Sequence, residues 1–391
     1  MQNAKEFDLV VYGASGFTGR LVAEYLVKQY ANDSSLKWAM AGRNADKLAQ
    51  VRDEIGAPAD TEIVIADADD PASMQNMLAR TRLVLTTVGP YQLYGSELVA
   101  MCAKSGVDYV DLCGEPVWMR EMIDAHHTTA QASGARIVFS CGFDSIPFDL
   151  GVYHLQQLAK QQLGSSITRV KGRVRKMRGT FSGGTAASLK ATLVAAKQDP
   201  IKMQLLLNHF SLTPDFQGVE QPAGTKPYFD EDLDSWVTHF IMAAINTRNV
   251  HRSNYLLDYA YGKDFVYDEM LMTGPGEKGE AVANAVAADK SMSGDKGPKP
   301  GEGPSKEERE TGFYDVLFVG ITKDGQQLKV SVSGKLDPGY GSTSRMIAQS
   351  AICLVKDAVD TKGGIWTSAP AMGNKLIKRL VKHAGLRFHQ E

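Results

Sequence analysis

The sequence predicts an α/β protein with a doubly wound parallel sheet in residues 1–150 and a second, α+β domain in residues 151–391. Three observations predict this division. Short apolar runs alternate with amphipathic stretches as far as residue 139, which is the rhythm of βαβ units. Beyond residue 150 this rhythm gives way to long alternating segments. At 391 residues the chain also exceeds the size at which a single hydrophobic core usually stops growing.

The first half contains six apolar segments with the length and composition of buried strands. Amphipathic stretches between them predict five covering helices. The predicted strands cover residues 9–12, 37–41, 62–66, 83–87, 109–112 and 136–140, and the helices cover 17–29, 45–54, 71–79, 96–105 and 117–133. Six strands in this order predict a Rossmann-type domain, in which ligands bind beyond the carboxyl ends of the strands.

The second half mixes helical and strand-like segments, which predicts an antiparallel sheet with helices on one face. Residues 273–312 are rich in Gly, Pro, Lys and Glu, which predicts a mobile loop; solvated disorder and a substrate-covering lid both remain open. The helices within residues 343–391 are expected to pack back on the first domain. The predicted strands cover 167–177, 266–272, 313–321 and 327–335, and the helices cover 151–163, 186–197, 200–208, 344–359 and 374–384.

Composition argues against several classes of protein. With 43 basic and 45 acidic residues the formal charge is −2, which argues against capture of nucleic acid by the whole protein. The four cysteines form no Cys-x-x-Cys pair, so neither a metal site nor a disulfide framework is expected, and a reducing cytoplasm fits best. No apolar run approaches the roughly 20 residues that span a bilayer. Peripheral contact with a membrane stays open.

A glycine-rich turn follows the first strand and leads directly into a helix. Its sequence, Gly13-Ala-Ser-Gly-Phe-Thr-Gly19, has one more residue between the first two glycines than the usual dinucleotide fingerprint. Gly13 permits the sharp turn, Gly16 lets backbone amides approach a pyrophosphate, and Gly19 lets the helix pack closely on the sheet. The helix N-terminus favours bound phosphate. The predicted phosphate-binding residues are Gly13, Ser15, Gly16, Phe17, Thr18 and Gly19.

The end of the second strand predicts NADP as the cofactor rather than NAD. NAD sites place an acidic residue there, whereas this chain has Arg43 and no acid. The Arg43 guanidinium suits the 2′-phosphate of NADP, and Lys47 lies one helical turn further on. Asp67, at the end of the third strand, is a candidate contact for the adenine. Gly89 and Pro90 end the fourth strand, where small residues let the backbone approach the ribose.

The fifth and sixth strand ends should flank the nicotinamide ring and therefore supply candidates for proton transfer. Hydride transfer needs a proton donor to neutralise the developing charge. Asp144, Glu115 and Tyr91 are the candidate catalytic residues, with Asp144 the first choice. An equally open alternative is that Asp144 caps the helix that follows Pro147 or holds its own loop in place. Cys141, beside it, is expected to be buried and unreactive.

The first long strand of the second half carries Arg169, Lys171, Arg173 and Arg175 on one face, because side chains alternate along a strand. A solvated outer face is the simpler interpretation. The alternative is a cationic surface for an acidic partner or for lipid headgroups. The Ser-Gly-Gly-Thr sequence at 182–185 leads into a helix and is a candidate anion site.

Several motifs together resemble the saccharopine dehydrogenase-like oxidoreductases, a family that includes the trans-acting enoyl reductases. The resemblance runs nearly from end to end and implies a Rossmann domain, a nicotinamide cofactor and a second domain that carries the substrate surface. It does not imply saccharopine as the substrate. The motifs are the turn at 13–20, Val88-Gly-Pro-Tyr-Gln-Leu-Tyr-Gly95, Tyr109-Val-Asp-Leu-Cys-Gly-Glu-Pro116, Cys141-Gly-Phe-Asp-Ser-Ile-Pro147, residues 182–185, Arg252-Ser253 and residues 339–354.

The resemblance to the enoyl reductases implies hydride delivery to an enoyl or carbonyl group of a lipid or acyl-type substrate. We expect that substrate to lie between the two domains, and we expect a homodimer. The rival interpretation is a non-catalytic NADP(H)-binding redox sensor or scaffold. A lipid-associated form of that rival uses the apolar stretch 236–245 and the basic strand.

Overall fold

The computed structural model describes residues 5–30, 33–180, 183–289 and 302–391, which contain two seven-stranded sheets. Six strands of the first sheet come from the first half and run parallel in the order β3-β2-β1-β4-β5-β6. This is the doubly wound order, whose ligand crevice lies between β1 and β4. The predicted fold class is therefore confirmed. The strands are β1 (Leu9–Tyr12), β2 (Trp38–Gly42), β3 (Ile63–Ile65), β4 (Leu83–Thr86), β5 (Asp108–Val110) and β6 (Arg136–Val138).

The helices of the first half begin and end at recognisable capping residues. Asn44 and Asp70 accept backbone amides at the starts of α2 and α3, and Gly134 ends α6 in the left-handed conformation that glycine favours. Their apolar faces cover both sides of the sheet. The helices are α1 (Phe17–Tyr30), α2 (Ala45–Glu54), α3 (Pro71–Arg80), α4 (Tyr91–Tyr94), α5 (Ser96–Ser105) and α6 (Pro116–Ser133).

The second sheet has the order β14-β12-β11-β7-β10-β9-β8. Its β7–β10 pair is parallel, so the sheet is mixed, whereas the alternating pattern had predicted an antiparallel one. A hairpin with Asp324-Gly325 in its turn joins β11 to β12, and Asp-Gly is a strong hairpin signal. The second-half elements of this sheet are β7 (Arg169–Arg178), β8 (Tyr228–Asp230), β9 (Ser235–His239), β10 (Val266–Gly274), β11 (Phe313–Ile321), β12 (Gln327–Gly334) and β14 (Arg387–Gln390).

Eight α-helices of the second half lie within the described ranges, and one of them, α13, returns to the first domain. After a turn of π-helix at Pro338–Ser342, α13 packs against α1, β4 and β5. None of the helices in the described residues is long and apolar enough to cross a membrane. The helices are α7 (Ile146–Leu163), α8 (Gly183–Gln198), α9 (Pro200–Leu207), α10 (Ala243–Leu256), α11 (Gly276–Ala288), α12 (Lys306–Thr311), α13 (Thr343–Lys356) and α14 (Ser368–Arg379).

The seventh strand of the first sheet comes from the far end of the chain. This strand, β13 (Gly364–Trp366), pairs in parallel with β6. The Ile365 amide donates to His127 Nδ1 at 3.1 Å, and Arg136 donates to the Ala358 carbonyl at 2.8 Å. The sequence analysis missed β13 because three residues are too few to show a period.

Residues 273–312, predicted as one mobile loop, contain α11 and α12. The Ala-rich second half of α11 favours a helix, and buried Ala283 accepts a hydrogen bond from Thr238 Oγ1 at 3.0 Å. The sequence analysis missed this helix because the Gly and Pro residues at the ends of the segment are typical of a loop. Residues 290–301 lie outside the described residues, so the mobility of the segment stays a prediction.

The basic face of β7 is neutralised by carboxylates of neighbouring strands. Arg173 is fully buried and pairs with Asp230 at 3.1 Å and Asp268 at 2.8 Å. Both interpretations, a solvated face and a free cationic surface, are therefore wrong. The sequence concealed the partners because they lie 57 to 216 residues away, on or directly after β8, β10, β11 and β14. The other pairs are Arg169–Asp268, Lys171–Asp230, Lys171–Asp232, Arg175–Asp315 and Arg175–Glu391.

The apolar stretch at 236–245 is also internal. Val237, Phe240 and Ile245 are buried, while Ile241 and Met242 face the cavity described below. The prediction that this stretch contacts lipid at the surface is therefore wrong, because its apolar side chains belong to β9, to the core and to the start of α10.

Candidate active site

A cavity of about 270 Å³ lies where the carboxyl ends of the first sheet's strands face the second domain. Its sheet side is formed by Thr87 and Gly89 after β4, Gly114 after β5 and residues 142–144 after β6. Thr18, in the first turn of α1, borders the same space. The strand-end position predicted for the reacting groups is where this cavity lies.

The turn after β1 is built from backbone packed against backbone. The amides of Gly13 and Ala14 donate to the Ala41 carbonyl at 2.9 and 3.2 Å, and the Gly16 amide donates to the Gly13 carbonyl at 2.9 Å. Gly13 has a φ of 87°. A Cβ on Gly19 would lie 2.1 Å from the Gly13 carbonyl oxygen, so that position must be glycine.

Gly16 is different, because its side-chain direction points away from the packed turn. A Cβ there would meet the Gly13 carbonyl oxygen at 3.3 Å and, its chain neighbours aside, no other described atom within 4 Å. The open space above Gly16 adjoins the first turn of α1, with Ser15, Phe17 and Thr18 around it. A cradle of backbone at a helix N-terminus fits the pyrophosphate of a dinucleotide.

Arg43 and Lys47 lie on the exposed side of this turn, at the end of β2 and in the first turn of α2. Neither side chain has an ion-pair partner among the described residues. Burial raises the pKa of Tyr12 at the end of β1, and the charges of Asp67 and Arg43 act on it in opposite senses. Both charges therefore lie near the end of β1, as residues that contact the adenosine end of NADP should.

Glu115 and Tyr91 hold the loops around the cavity. The two Glu115 carboxylate oxygens accept the amides of Tyr91 and Gln92, each at 2.9 Å, so Glu115 caps α4. The Tyr91 hydroxyl accepts the Leu112 amide at 3.1 Å and donates to the Thr86 carbonyl at 3.4 Å. Burial raises the pKa of Tyr91 well above its ordinary value. Tyr91 lines the cavity, whereas Glu115 is buried behind it.

Asp144 lines the cavity and has a buried oxygen, Oδ1, without a hydrogen-bond partner among the described residues. Burial raises the pKa of its carboxyl to about 7. The residue before α7 is Ser145, and no side chain caps that helix. The capping alternative for Asp144 therefore finds no support in the geometry, and no hydrogen bond among the described residues engages its carboxyl group.

The turn that carries Asp144 is held from three sides. The Ser140 and Cys141 amides donate to Asp111, at 2.9 Å to its side chain and at 2.7 Å to its carbonyl. The Phe143 amide donates to Thr343 Oγ1 at 2.8 Å. Asn249 Nδ2 donates to Ser145 Oγ at 2.8 Å.

These supporting residues escaped the sequence analysis because Thr343 and Asn249 lie 200 and 104 residues away from their partners. No local motif marks such a contact. Cys141, in the same turn, is buried, and burial raises the pKa of its thiol well above the ordinary value. Its predicted character as a buried, unreactive thiol is consistent with this environment.

The wall opposite the sheet is uncharged. It combines apolar side chains with three hydroxyl groups, and Asp144 is the one formally charged residue among the described residues that line the cavity. Of the predicted anion site, Ser182 lies outside the described residues and the Thr185 side chain is not described. The lining residues of this wall are Met177, Thr180, Ser188, Thr192, Leu206, Ile241, Met242 and Ile245.

Comparison with known families supports the cofactor assignment. Residues 9–138 match the saccharopine dehydrogenase NADP-binding domain. These residues include the turn after β1, Arg43, Lys47 and Asp67. The first domain is thus an NADP-binding domain, as its strand ends predicted.

Similar proteins extend the likeness over the whole chain. A Mycobacterium tuberculosis protein named as a trans-acting enoyl reductase is 40% identical over 96% of both chains. The trans-acting enoyl reductases of Mycobacterium ulcerans and Mycobacterium bovis are 36% identical, again over 96% of both chains.

Solved structures share the fold at low identity. Saccharopine dehydrogenase (L-Glu forming) from Saccharomyces cerevisiae has a TM-score of 0.55 at 11% identity and covers 98% of this chain and 100% of its own. Homospermidine synthase from Legionella pneumophila has a TM-score of 0.54 at 8% identity and covers 99% of this chain and 92% of its own. At such identities the likeness shows the two-domain fold alone.

Proposed function

We propose a reductase activity for this chain, which belongs to the saccharopine dehydrogenase-like family that includes the trans-acting enoyl reductases. The proposed reaction is the NADPH-dependent reduction of an enoyl or carbonyl group in a lipid or acyl-type substrate. The observation that carries the proposal is the unpartnered Asp144 carboxyl in an otherwise uncharged cavity beside the nucleotide-binding turn.

The turn at 13–19 and the strand ends are the residues that would hold the cofactor. Backbone amides in the first turn of α1, beside the open space above Gly16, would bind the pyrophosphate, and Arg43 and Lys47 would pair with the 2′-phosphate. Asp67 would contact the adenine, and Gly89 and Pro90 would lie against a ribose. When bound, reduced NADP supplies the hydride. The chain's part is then to hold the substrate, exclude water and deliver a proton.

Asp144 is the proposed proton donor. The substrate gains a hydride and a proton, so the carboxyl O–H bond of Asp144 breaks as the proton moves to the carbon or oxygen that holds the new electron pair. Solvent returns a proton to the carboxylate after the product leaves. A pKa of about 7 leaves a large protonated fraction at neutral pH, which suits a general acid.

Glu115 and Tyr91 support the reaction indirectly in this scheme. Both carboxylate oxygens of Glu115 are engaged by amides, and the Tyr91 hydroxyl is engaged by two backbone groups. They therefore act as positioning residues that keep the loops after β4 and β5 in place.

The cavity lining supports the proposed substrate class. An amino-acid substrate would bring a carboxylate and an ammonium into a space without a basic side chain among the described lining residues. Burying such unpaired charges is costly, whereas an acyl chain gains from contact with Met177, Ile241 and Met242. The names of the mycobacterial relatives point to the same class, with an enoyl group as the reacting centre.

The decisive experiment follows NADPH oxidation with three alternative acceptors: an enoyl thioester, a lipid ketone, and the imine that an aldehyde forms with glutamate. Deuterium placed on the transferable position of NADPH should appear in the reduced acyl product and not in the amino-acid product. Transfer to the imine alone would contradict the substrate class. Tight NADPH binding without transfer to any enoyl or carbonyl lipid would replace this proposal with the sensor or scaffold.

A further inference from the structure

The corner formed by α8 and α9, residues 183–207, has one face on the cavity and another on solvent. Ser188 and Thr192 of α8 and Leu206 of α9 line the cavity. Thr192 Oγ1 accepts from Gln92 Nε2 at 3.2 Å, and Arg248 donates to the Leu206 carbonyl. These contacts attach the inner side of the corner to both domains.

The outer side of the same corner exposes large apolar side chains. The exposed fractions are 46% for Val194, 68% for Ile201 and 70% for Leu207, and no residue of α9 is buried. Leu193 adds a further apolar side chain at 36% exposure. A concentration of exposed aliphatic residues beside a cavity is unusual for a surface that faces only water.

Lysines accompany these apolar residues. The corner carries Lys190, Lys197 and Lys202 and one acidic residue, Asp199, among residues 183–207. Asp199 Oδ1 accepts the amides of Ile201 and Lys202, which commits that oxygen to capping α9. Lys202 pairs with Glu121 at 2.9 Å. The surface is therefore apolar with a basic rim.

We propose that the α8–α9 corner docks on an anionic lipid bilayer. Exposed aliphatic side chains beside lysines let a surface enter the headgroup region of a bilayer, where the lysines meet lipid phosphates. Ile201 and Leu207 project from the surface rather than line a groove, which suits insertion between headgroups more than contact with a folded partner.

The proposal rests on the proposed function, because docking at a bilayer matters only if the substrate is a lipid or acyl chain. A corner that touches the bilayer outside and the cavity inside gives an acyl chain a short route into the cavity. The route passes Leu206, whose neighbour Leu207 lies on the outer side.

Flotation of the full-length protein with vesicles tests the proposal without any enzymatic readout. One set of vesicles contains phosphatidylcholine and phosphatidylglycerol in equal amounts, and the other contains phosphatidylcholine alone. The wild type should float with the mixed vesicles and much less with the neutral ones. A double variant, Ile201→Asp with Leu207→Asp, should lose about tenfold in vesicle partitioning, since two apolar anchors are removed and two like charges are added.

The matched control is Val359→Asp with Val381→Asp, which changes two apolar residues of 64% and 49% exposure outside the corner. This control should float like the wild type, and circular dichroism and NADPH affinity should be unchanged in both variants. Equal flotation of the corner variant and the wild type would overturn the proposal, and so would equal losses in corner and control variants.

Light scattering tests the other possible occupant of the corner, which is a second copy of the chain. A corner variant that changes from dimer to monomer would assign the surface to a second copy of the chain and overturn lipid docking. The rate at which the corner variant reduces a short, water-soluble enoyl thioester distinguishes a failure of lipid docking from a failure of the proposed function. Normal rates with lost flotation support docking, whereas absent rates in every variant with intact flotation would remove the proposed function alone.

Discussion

The turns after β1 and β6 face the same cavity but are built on different principles. The turn at 13–19 works through backbone, and its key positions are glycines whose missing side chains make room. The turn at 140–145 carries the proposed proton donor, the Asp144 side chain, whose raised pKa comes from its burial. A site built from backbone leaves a characteristic spacing of glycines in the sequence. The burial and contacts of a carboxyl group leave no such pattern.

This difference explains why the sequence indicated the cofactor more clearly than it indicated the proposed proton donor. A glycine motif between a strand and a helix has few other causes. An aspartate after a strand has many possible roles. Only the burial of Oδ1, the hydrogen bonds that fix its neighbours Phe143 and Ser145, and the uncharged lining of the cavity single out Asp144. The comparison predicts that changes in the first turn affect binding, while changes in the second affect turnover.

The largest effect is expected from Asp144→Asn. The amide keeps the size of the side chain but gives up no proton, so kcat should fall by about a hundredfold to ten-thousandfold while NADPH affinity stays the same. Stopped-flow NADPH oxidation and NADPH fluorescence titration measure the two quantities.

The control for this variant is Asp149→Asn, in the first turn of α7. Asp149 is a buried carboxylate that accepts from Ser253, Ser368 and Ala369 and does not line the cavity. The Asp149→Asn variant should have a lower free energy of unfolding and an unchanged kcat. An Asp144→Asn variant with an unaffected rate would exclude Asp144 as the proton donor.

Gly16→Val tests the other side of the comparison. The branched side chain fills the open space above the turn, so NADPH should bind about a hundredfold more weakly through the loss of two charge-assisted amide contacts. Calorimetry measures the affinity, and circular dichroism checks the fold. Gly16→Ala, which adds only the Cβ, should give a smaller loss. Full NADPH affinity in a folded valine variant would place the pyrophosphate elsewhere.

Arg43→Ala should change the choice of cofactor more than the strength of binding. Removal of the guanidinium should cut the preference for NADPH over NADH by about tenfold, because one charge-assisted contact to the 2′-phosphate is lost. Paired fluorescence titrations with NADPH and NADH measure it. Lys47→Ala, one turn into α2, should have a smaller effect in the same direction. An unchanged preference in both variants would show that other residues select the 2′-phosphate.

The smallest effect is a pH dependence. Because burial raises the pKa of Asp144 to about 7, its carboxyl is protonated below that pH and the rate should be high there. As the pH rises through about 7 the donor loses its proton and kcat should fall, with half the low-pH rate near the pKa. An ordinary aspartate would already be ionised above about pH 4. A pH profile of single-turnover reduction measures the midpoint, and a flat profile would contradict this assignment.

The sequence predicted local structure well and long-range structure poorly. The six strands of the first domain and the order of its helices followed from periodicity, and Gly13, Gly16 and Gly19 followed from spacing. The charges of Arg173 and the other β7 cations were misjudged because their partners lie on strands far away in sequence. Likewise, β13 pairs with a strand more than 200 residues earlier. Contacts between segments that are distant in sequence depend on the order of the strands in the sheet. A single sequence carries no local pattern that reveals this order.

The return of residues 364–366 to the edge of the first sheet has a consequence for biosynthesis. While the ribosome is still making the second domain, the first domain has already emerged with β6 as an uncovered edge. An uncovered strand edge can pair with other chains. The nascent protein is therefore prone to aggregation until β13 pairs with β6. Cells that produce this protein in quantity should therefore depend on holdase chaperones during its synthesis, and a ribosome-profiling pull-down of such chaperones would show engagement until residue 366 clears the exit tunnel.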